Sequence, residues 1–181
     1  MTAFKKVRLF AYGYDPEEVD DFFDLARATY EGQPGAELSV DEIQRASFDL
    51  VHRGYQCPAV DAALDRLAAA MVAKDRAEIA ATRGQAEWNA QLAAQATTLY
   101  GRLTRPRGER FKPGSGGYSY DTAQVDDVLD RLTAFFDNGV PLTARDIQQA
   151  VFRRRRGKKG YDEASVDAFM RRAARVLLGA A

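Results

Sequence analysis

The sequence predicts a mainly α protein: two tandem, quasi-equivalent helical modules with ordered Gly-Tyr loops, and a long Ala-rich central helix or helical hairpin. The first observation is a tyrosine followed, after four residues, by Val-Asp, which occurs four times. The second is the spacing, because Tyr14 precedes Tyr55 by 41 residues and Tyr120 precedes Tyr161 by the same number. A fixed internal period indicates that one structural unit has been reused. The repeated residues are Tyr14 and Asp20, Tyr55 and Asp61, Tyr120 and Asp126, and Tyr161 and Asp167.

Each repeat predicts a capped amphipathic helix. Apolar residues follow each Val at three, four and seven positions, which places them on one helical face. Asp15 before Pro16 in the first copy, and Asp121 before Gln124 in the third, are typical of helix starts. The stripe predicts a core that contains Phe22, Phe23, Leu64, Leu129, Phe169 and Met170. The expected helices span about 16–31, 40–51, 58–103, 122–137, 144–155 and 163–178.

The repeated aspartates and tyrosines have structural interpretations. We expect the four aspartates in the first turns of their helices, where negative charge opposes the helix dipole. We expect each tyrosine to pack its ring on its own helix while the hydroxyl bonds locally. A role of the tyrosines in partner contact is the alternative.

A second element is repeated once in each half of the chain. Residues 38–48 begin Leu-Ser-Val-Asp-Glu-Ile, and residues 142–152 begin Leu-Thr-Ala-Arg-Asp-Ile, and a Phe closes each segment. Ser39 with Glu42 and Thr143 with Asp146 indicate short capped helices. The stretch from Phe48 to Gly54 has a counterpart in the second half that is two residues longer.

Together these motifs resemble the DivIVA-domain family, especially its multi-repeat actinobacterial members. Residues 38–67 and 142–173 carry the whole motif, whereas residues 13–24 and 119–130 carry only the Tyr-to-helix half. The resemblance implies a non-catalytic bacterial scaffold of cell division or polar growth that assembles through helices, as in a coiled coil. It also implies contact with the inner face of the membrane at a septum or pole.

In that family an apolar residue and an Arg precede the Gly-Tyr of the membrane-binding loop. The corresponding pairs here are Ala11-Tyr12, His52-Arg53 and Lys158-Lys159, and none of them joins a large apolar residue to Arg. The sequence therefore predicts membrane contact through charge. Arg53 is either a surface contact implied by the resemblance or a loop arginine paired with a nearby acid.

The distribution of charge is uneven although the total is balanced. The chain has 26 Lys and Arg and 26 Asp and Glu among its 181 residues. Residues 15–42 hold ten acids and one base, whereas residues 145–175 hold ten bases and four acids. Opposite charges of this size should attract, within one chain or between chains. Because the whole chain is neutral, it is not a general polyanion-binding protein.

The domain prediction follows from composition. Residues 1–103 form the first doublet with the long helix, residues 104–119 form a Pro- and Gly-rich linker, and residues 120–181 form the second doublet. Phe111 could nevertheless belong to the second module as Phe4 belongs to the first. Gly84 could break the long helix into a hairpin. No apolar run of signal-peptide or membrane-span length is present, so we expect a cytoplasmic protein with peripheral membrane contact at most.

The candidate chemistry is sparse. His52 is the only histidine and Cys57 the only cysteine, which are too few for a metal site or an activated nucleophile. We therefore predict no catalytic residues, no metal and no cofactor.

The basic segment 153–159 is the most distinctive local feature. Six of its seven residues are cationic: Arg153, Arg154, Arg155, Arg156, Lys158 and Lys159. Together with Arg53, they are the predicted anion- or partner-binding residues, and we expect the segment to be exposed and mobile. Anionic lipid or nucleic acid would satisfy the charge, although the segment lacks the interleaved aromatics that stack on bases. The sequence therefore favours a scaffold with protein partners, self-association and an anionic membrane surface, with nucleic-acid binding as the alternative.

Overall fold

The computed structural model describes residues 4–181 and is mainly helical, as the sequence predicts. The helices described are α1 (Pro16–Glu31), α2 (Val40–Arg45), α3 (Cys57–Arg83), α4 (Gln85–Leu103), α5 (Thr122–Asn138), α6 (Ala144–Gln148) and α7 (Glu163–Ala180). Four three-residue strands accompany them: β1 (Tyr12–Tyr14), β2 (Leu50–His52), β3 (Tyr118–Tyr120) and β4 (Arg154–Arg156). No helix in the described part of the chain is both long and apolar enough to cross a membrane.

The caps form where the sequence predicts them. Asp15 accepts a hydrogen bond from the Glu17 backbone N–H, and Asp121 accepts one from that of Gln124. Ser39 and Glu42 form a reciprocal capping box, and Thr143 and Asp146 form the same box at the start of α6. These local contacts satisfy backbone donors that a helix start leaves free, so the start positions are fixed by sequence.

The chain divides into two compact units, one ending at Asp75 and the other beginning at Arg76. The predicted first domain covered residues 1–103, of which residues 1–3 lie outside the described part. Its predicted end at residue 103 therefore differs from the observed boundary after Asp75. The helix α4 belongs to the second unit, where the Trp88 indole donates to the Gly179 carbonyl at 3.3 Å. Leu99 and Leu103 are buried in the same core as α5 and α7. Apolar burial thus assigns α4 to the second unit.

The long helix breaks at the predicted glycine. α3 ends at Arg83 and α4 begins at Gln85, and Gly84 between them has φ 91°. A residue with a Cβ is strained at that angle, whereas glycine adopts it readily. Of the two predicted forms of the central segment, the structure shows the broken one.

The predicted linker is not a free connector. Phe111 is 4% exposed and packs edge-on against Phe169 in the core of the second unit. Arg110 is 6% exposed and bonds to residues of α5. The middle of the 104–119 segment is therefore part of the second module, as suggested for Phe111 alone.

The first unit contains one copy of the repeated module. β1 pairs antiparallel with β2, so that Tyr14 lies opposite Leu50 and Tyr12 opposite His52. Tyr55 forms isolated bridges to both Tyr14 and Lys6. Val19 and Val60 are fully buried, and Leu38, Val40 and Ile43 are largely buried.

The second unit repeats this arrangement. β3 pairs with β4 in the equivalent register, with Tyr120 opposite Arg154 and Tyr118 opposite Arg156. Tyr161 bridges Tyr120 and Pro113, as Tyr55 bridges Tyr14 and Lys6. The buried residues Val125, Val166, Leu142, Ala144 and Ile147 occupy the same repeat positions as those of the first unit.

The strands replace the second halves of two predicted helices. The sequence predicted helices over 40–51 and 144–155, but α2 ends at Arg45 and α6 ends at Gln148. Further along the chain, Leu50–His52 and Arg154–Arg156 pair with the strands that end at Tyr14 and Tyr120. Pairing with a distant strand can override a local helical preference, and the sequence pattern did not reveal it.

The predicted core is confirmed fully in the second unit and partly in the first. Leu129 and Phe169 are almost completely buried, and Met170 is 8% exposed. Phe22, Phe23 and Leu64 are only half-buried. Phe22 instead packs edge-on against Phe48, and Phe23 packs against Phe4.

Candidate functional site

The repeated tyrosines and aspartates form crossed pairs rather than local ones. The Tyr55 hydroxyl donates to the Asp20 carboxylate at 3.0 Å, although the two residues are 35 positions apart. The Tyr14 hydroxyl is hydrogen-bonded to Asp61. Each tyrosine thus bonds to the helix that the other tyrosine introduces. The prediction that the hydroxyls bond locally is therefore wrong.

The second unit has the same crossed pairs. The Tyr161 hydroxyl donates to Asp126 at 3.0 Å, and the Tyr120 hydroxyl is hydrogen-bonded to Asp167. The backbones of the two tyrosines are also joined reciprocally, since each N–H donates to the other carbonyl at 2.9 Å. Tyr14 and Tyr55 share the same reciprocal bonds, at 3.0 and 2.8 Å. Each module is therefore locked by two backbone bonds and two side-chain bonds.

The position of the aspartates explains the crossing. Asp20 is the fifth residue of α1 and Asp126 is the fifth residue of α5, so neither lies in the first turn where it was predicted. Asp61 and Asp167 hold the same fifth position in α3 and α7. At this position each carboxylate accepts a hydrogen bond from the tyrosine that precedes the other helix of its module.

The tyrosines of the pairs stay protonated. Burial, the charge of Asp61 and the hydrogen bond to it raise the pKa of Tyr14 to about 12. Burial likewise raises the pKa of Tyr55, Tyr120 and Tyr161, with the neighbouring carboxylate adding to it. All four tyrosines therefore remain hydrogen-bond donors at neutral pH, as a structural role of the pairs requires.

Close backbone approach explains the glycines before the tyrosines. A Cβ on Gly13 would lie 2.2 Å from the Tyr55 carbonyl oxygen, and one on Gly54 would lie 2.3 Å from that of Gly13. The third copy has Ser119 at this position, and its side chain is fully buried. Gly114, at the position of Val7, compensates, because a Cβ there would lie 2.8 Å from the Ser119 Cβ.

The second unit contains a charged network around Arg110. Arg110 donates to the Asp126 carbonyl at 3.0 Å and to the Asp130 carboxylate at 2.5 Å. Its backbone N–H donates to the Tyr161 hydroxyl at 3.1 Å. Arg107 adds ion pairs to Asp127 and Asp130. The sequence analysis missed this network, although the Arg-rich end of the predicted linker was the available signal.

The two modules differ in the loops at one end of their two-stranded sheets, where the chain enters β1 or β3 and leaves β2 or β4. In the first unit we call residues 8–11 and 52–53 the first tip. Leu9 and Phe10 lie in its turn and are 58% and 89% exposed. Arg8 and Arg53 are exposed beside them. The first tip therefore presents a large apolar pair between two cations.

Arg53 occupies an unusual position in the first tip. It has φ 59°, which is rare for a residue with a side chain, and its N–H donates to the Ala11 carbonyl at 3.3 Å. Its side chain forms no ion pair with any residue from 4 to 181. Of the two interpretations of Arg53, the one that paired it with an acid is wrong.

In the second unit we call residues 115–117 and 156–159 the second tip. Ser115 to Gly117 lie between Gly114 and Tyr118, as residues 8–11 lie between Val7 and Tyr12, and they give this tip no apolar pair. Arg156, Lys158 and Lys159 are exposed there. Tyr118 is 54% exposed at the adjoining end of β3 and lies opposite Arg156.

The predicted basic segment is exposed but only partly free. Arg154 to Arg156 form β4, which pairs with β3. The Arg155 Nε donates to Asp121 at 2.8 Å, and the Arg154 Nε lies 3.0 Å from Glu163. These partners are in the second module, not in the acidic stretch 15–42 that the sequence suggested. Arg153 is exposed next to Gln124, whose side chain accepts from its backbone N–H at 2.7 Å.

A shallow groove of about 450 Å³ lies beside α5 in the second unit. Val128, Val151 and Phe152 supply its apolar surface, and Arg131 and Asp146 supply opposite charges. Val151 is 90% exposed. The groove is open and mixed in character, without a convergent set of catalytic groups.

A scan against family models found no match, and searches of curated proteins and solved structures found none either. The resemblance to DivIVA domains therefore stays a prediction from the repeat motif.

Proposed function

We propose that the protein is a non-enzymatic scaffold of bacterial cell division or polar growth that attaches to the inner face of the membrane through its first tip. The observation that carries this proposal is the exposure of Leu9 and Phe10 between Arg8 and Arg53. The repeat motif that resembles the DivIVA domain supports the same assignment. In this proposal, Leu9 and Phe10 with Arg8 and Arg53 take the part of the apolar residue and Arg that the DivIVA motif has directly before Gly-Tyr.

The tip offers two kinds of membrane attraction. Full burial of a Leu or Phe side chain is worth about 1.5–3 kcal/mol. Each cation near an anionic leaflet adds about 1 kcal/mol. Because neither contribution is large alone, attachment through Leu9, Phe10, Arg8 and Arg53 would be reversible and salt-sensitive.

The crossed tyrosine-aspartate pairs support a structural rather than catalytic role for the repeated motif. Their hydroxyls and carboxylates are already bonded to each other, so they form rigid modules. The helical faces of these modules would then dock protein partners of the division machinery or a second copy of the chain. Each partner would be brought to the membrane by the first tip.

Nucleic-acid binding remains a second candidate because the structure places an aromatic ring beside the basic segment. Tyr118 is exposed opposite Arg156, and the Arg154 guanidinium lies 5.7 Å from its ring centroid. Base stacking on an aromatic ring next to cations is a common mode of single-strand binding. The sequence run alone lacked this feature.

Vesicle co-sedimentation tests the proposal. The parent chain should bind vesicles of phosphatidylcholine with phosphatidylserine more strongly than phosphatidylcholine alone. The double substitution Leu9→Ser with Phe10→Ser should weaken that binding by at least about tenfold, from the apolar burial it removes. Val140→Ser with Val151→Ser is the matched control, since both valines are exposed and lie outside the first tip.

Two further readouts separate the candidates. A fluorescent fusion should concentrate at septa or poles, and the first-tip substitution should disperse it. A gel shift with single-stranded and duplex oligonucleotides tests the second candidate. Parent protein that shifts oligonucleotides but does not sediment with vesicles would overturn the membrane proposal, as would equal sedimentation of parent and first-tip variant.

A further inference from the structure

The second tip carries cations that the fold itself does not neutralise. Arg154 and Arg155 are paired with Glu163 and Asp121. Arg156, Lys158 and Lys159 form no ion pair with any described residue. Three exposed cations within four residues repel each other, and an anion bound among them would relieve that repulsion.

The segment opposite these cations is built from glycine. Ser115, Gly116 and Gly117 are exposed, and the Gly157 N–H donates to the Gly117 carbonyl at 2.9 Å, which joins the two parts of the tip. Gly117 and Gly157 have φ of 64° and 66°, and a Cβ on either would meet no atom within 4 Å. Turns of this kind expose backbone N–H groups to anions without side chains in the way.

Backbone donors are available in this loop. The N–H groups of Ser115 and Gly116 have no hydrogen-bond acceptor within the described residues. Phosphate oxygens accept from backbone N–H groups and from Lys and Arg together. The second tip thus combines the two types of donor that phosphate sites use.

Comparison of the two tips indicates the character of the ligand. Both occupy the same place in their modules, but where the first has Arg8, Leu9, Phe10 and Ala11, the second has only Ser115, Gly116 and Gly117. The second tip also has two more residues in its basic turn. It therefore cannot insert into apolar surroundings, and its ligand must be polar and anionic.

The size of the second tip favours a compact ligand. Its free cations lie in one short turn at the end of a two-stranded ribbon, whereas single-strand binding proteins use grooves that follow several nucleotides. We infer that the second tip is a binding site for clustered phosphate monoesters, carried by a lipid headgroup or by a soluble polyphosphorylated molecule. The inference rests on the proposed function only for the lipid source, because the soluble source needs no membrane.

Calorimetric titration with inositol hexakisphosphate tests the site directly. The full chain should bind one equivalent, and the triple substitution Arg156→Gln, Lys158→Gln and Lys159→Gln should weaken binding about 100-fold, from the usual contribution of three surface cations. The matched control is Arg145→Gln, Arg172→Gln and Arg175→Gln, which removes the same charge from exposed positions in α6 and α7. The control should bind within about twofold of the parent, as distant surface charges are screened.

Vesicles identify the source of the phosphates. Vesicles with phosphatidylinositol 4,5-bisphosphate should displace inositol hexakisphosphate if a lipid headgroup is the ligand, whereas vesicles of equal charge made with phosphatidylserine should not. If neither vesicle competes, the soluble source is assigned. The variant Leu9→Ser with Phe10→Ser should keep inositol hexakisphosphate binding. Failure of the membrane proposal and failure of the phosphate site can therefore be told apart.

Three results would overturn the inference. The first is no binding of inositol hexakisphosphate by the parent chain. The second is an equal loss in the triple variant and the control, which would show diffuse charge rather than a site. The third is tighter binding of a single-stranded oligonucleotide than of hexakisphosphate at the same salt, which would assign the tip to nucleic acid.

Discussion

Removing the Tyr161 hydroxyl should destabilise the second unit far more than the equivalent change destabilises the first. In the folded chain this hydroxyl donates to Asp126 and accepts from the Arg110 N–H, and Tyr161 is 2% exposed. Tyr161→Phe leaves a buried carboxylate and a buried N–H short of a partner. Each such loss costs about 1–3 kcal/mol. Asp126 keeps the hydrogen bond from the Gly108 N–H at 2.7 Å, which puts its share at about 1 kcal/mol, so we expect about 2–4 kcal/mol in total.

The repeat supplies the matched control. Among the residues that the structure describes, the Tyr55 hydroxyl bonds to Asp20, which is half-buried and accessible to water. Tyr55→Phe should therefore cost about 0.5–1.5 kcal/mol, the usual net value of one hydrogen bond. The two substitutions remove the same atom from the same repeat position.

Urea unfolding followed by fluorescence measures the difference. Trp88 is the only tryptophan, and it is buried in the second unit, so its emission reports on Tyr161→Phe. Circular dichroism, which follows the helices of both units, measures Tyr55→Phe in the first unit. With a urea slope of about 2 kcal/mol per molar, Tyr161→Phe should lower the midpoint by about 1–2 M. Equal shifts for Tyr161→Phe and Tyr55→Phe, or a shift under about 0.25 M for Tyr161→Phe, would refute the role assigned to the buried network.

Three further predictions concern the second unit. Leu129→Ala should cost about 2–5 kcal/mol in the same urea assay because the side chain is fully buried, and a change under about 0.5 kcal/mol would mean that the stripe is misassigned. Burial opposes ionisation of the Asp130 carboxyl, but hydrogen bonds and charge from Arg110 and Arg107 exceed that effect and hold its pKa below the usual range. Stability should therefore be present above about pH 4 and decline as pH falls through the lowered value, and Asp130→Asn should flatten that decline in acid titrations. Gly114→Ala should lower the melting temperature, because its Cβ would meet that of Ser119 at 2.8 Å; adding Ser119→Gly should restore part of the loss, and simple additivity of the two changes would contradict the compensation.

Local signals predicted much of the helical framework. The starts of α1 and α5 followed from Asp15 and Asp121, whose side chains cap the backbone N–H groups of the next turn. The buried valines followed from helical spacing. These features depend on residues within one or two turns of each other, so the sequence displays them directly.

The candidate site was predicted less completely. The sequence identified the basic segment 153–159, which is exposed, but not the β4 strand within it or the acids that pair with Arg154 and Arg155. It did not indicate the exposed Leu9 and Phe10, because the family's motif has its apolar-Arg pair directly before Gly-Tyr, whereas these two residues lie before Ala11 and Tyr12. Exposure depends on what the remainder of the fold covers, and one sequence does not state that.

What the sequence determined by itself is the doubled repeat, the helix starts and the apolar stripe, since each arises from spacing and capping within a short segment. Only the tertiary structure decided which tyrosine bonds to which aspartate. Tyr55 and Asp20 lie 35 residues apart, and their contact exists because β1 and β2 bring the two Gly-Tyr turns together. Contacts between distant segments likewise bury Arg110 beside Asp126. They also leave exposed the two tips, which differ although the modules are otherwise equivalent. Pairing between distant segments depends on the geometry of the whole module, and local residue preferences do not fix it.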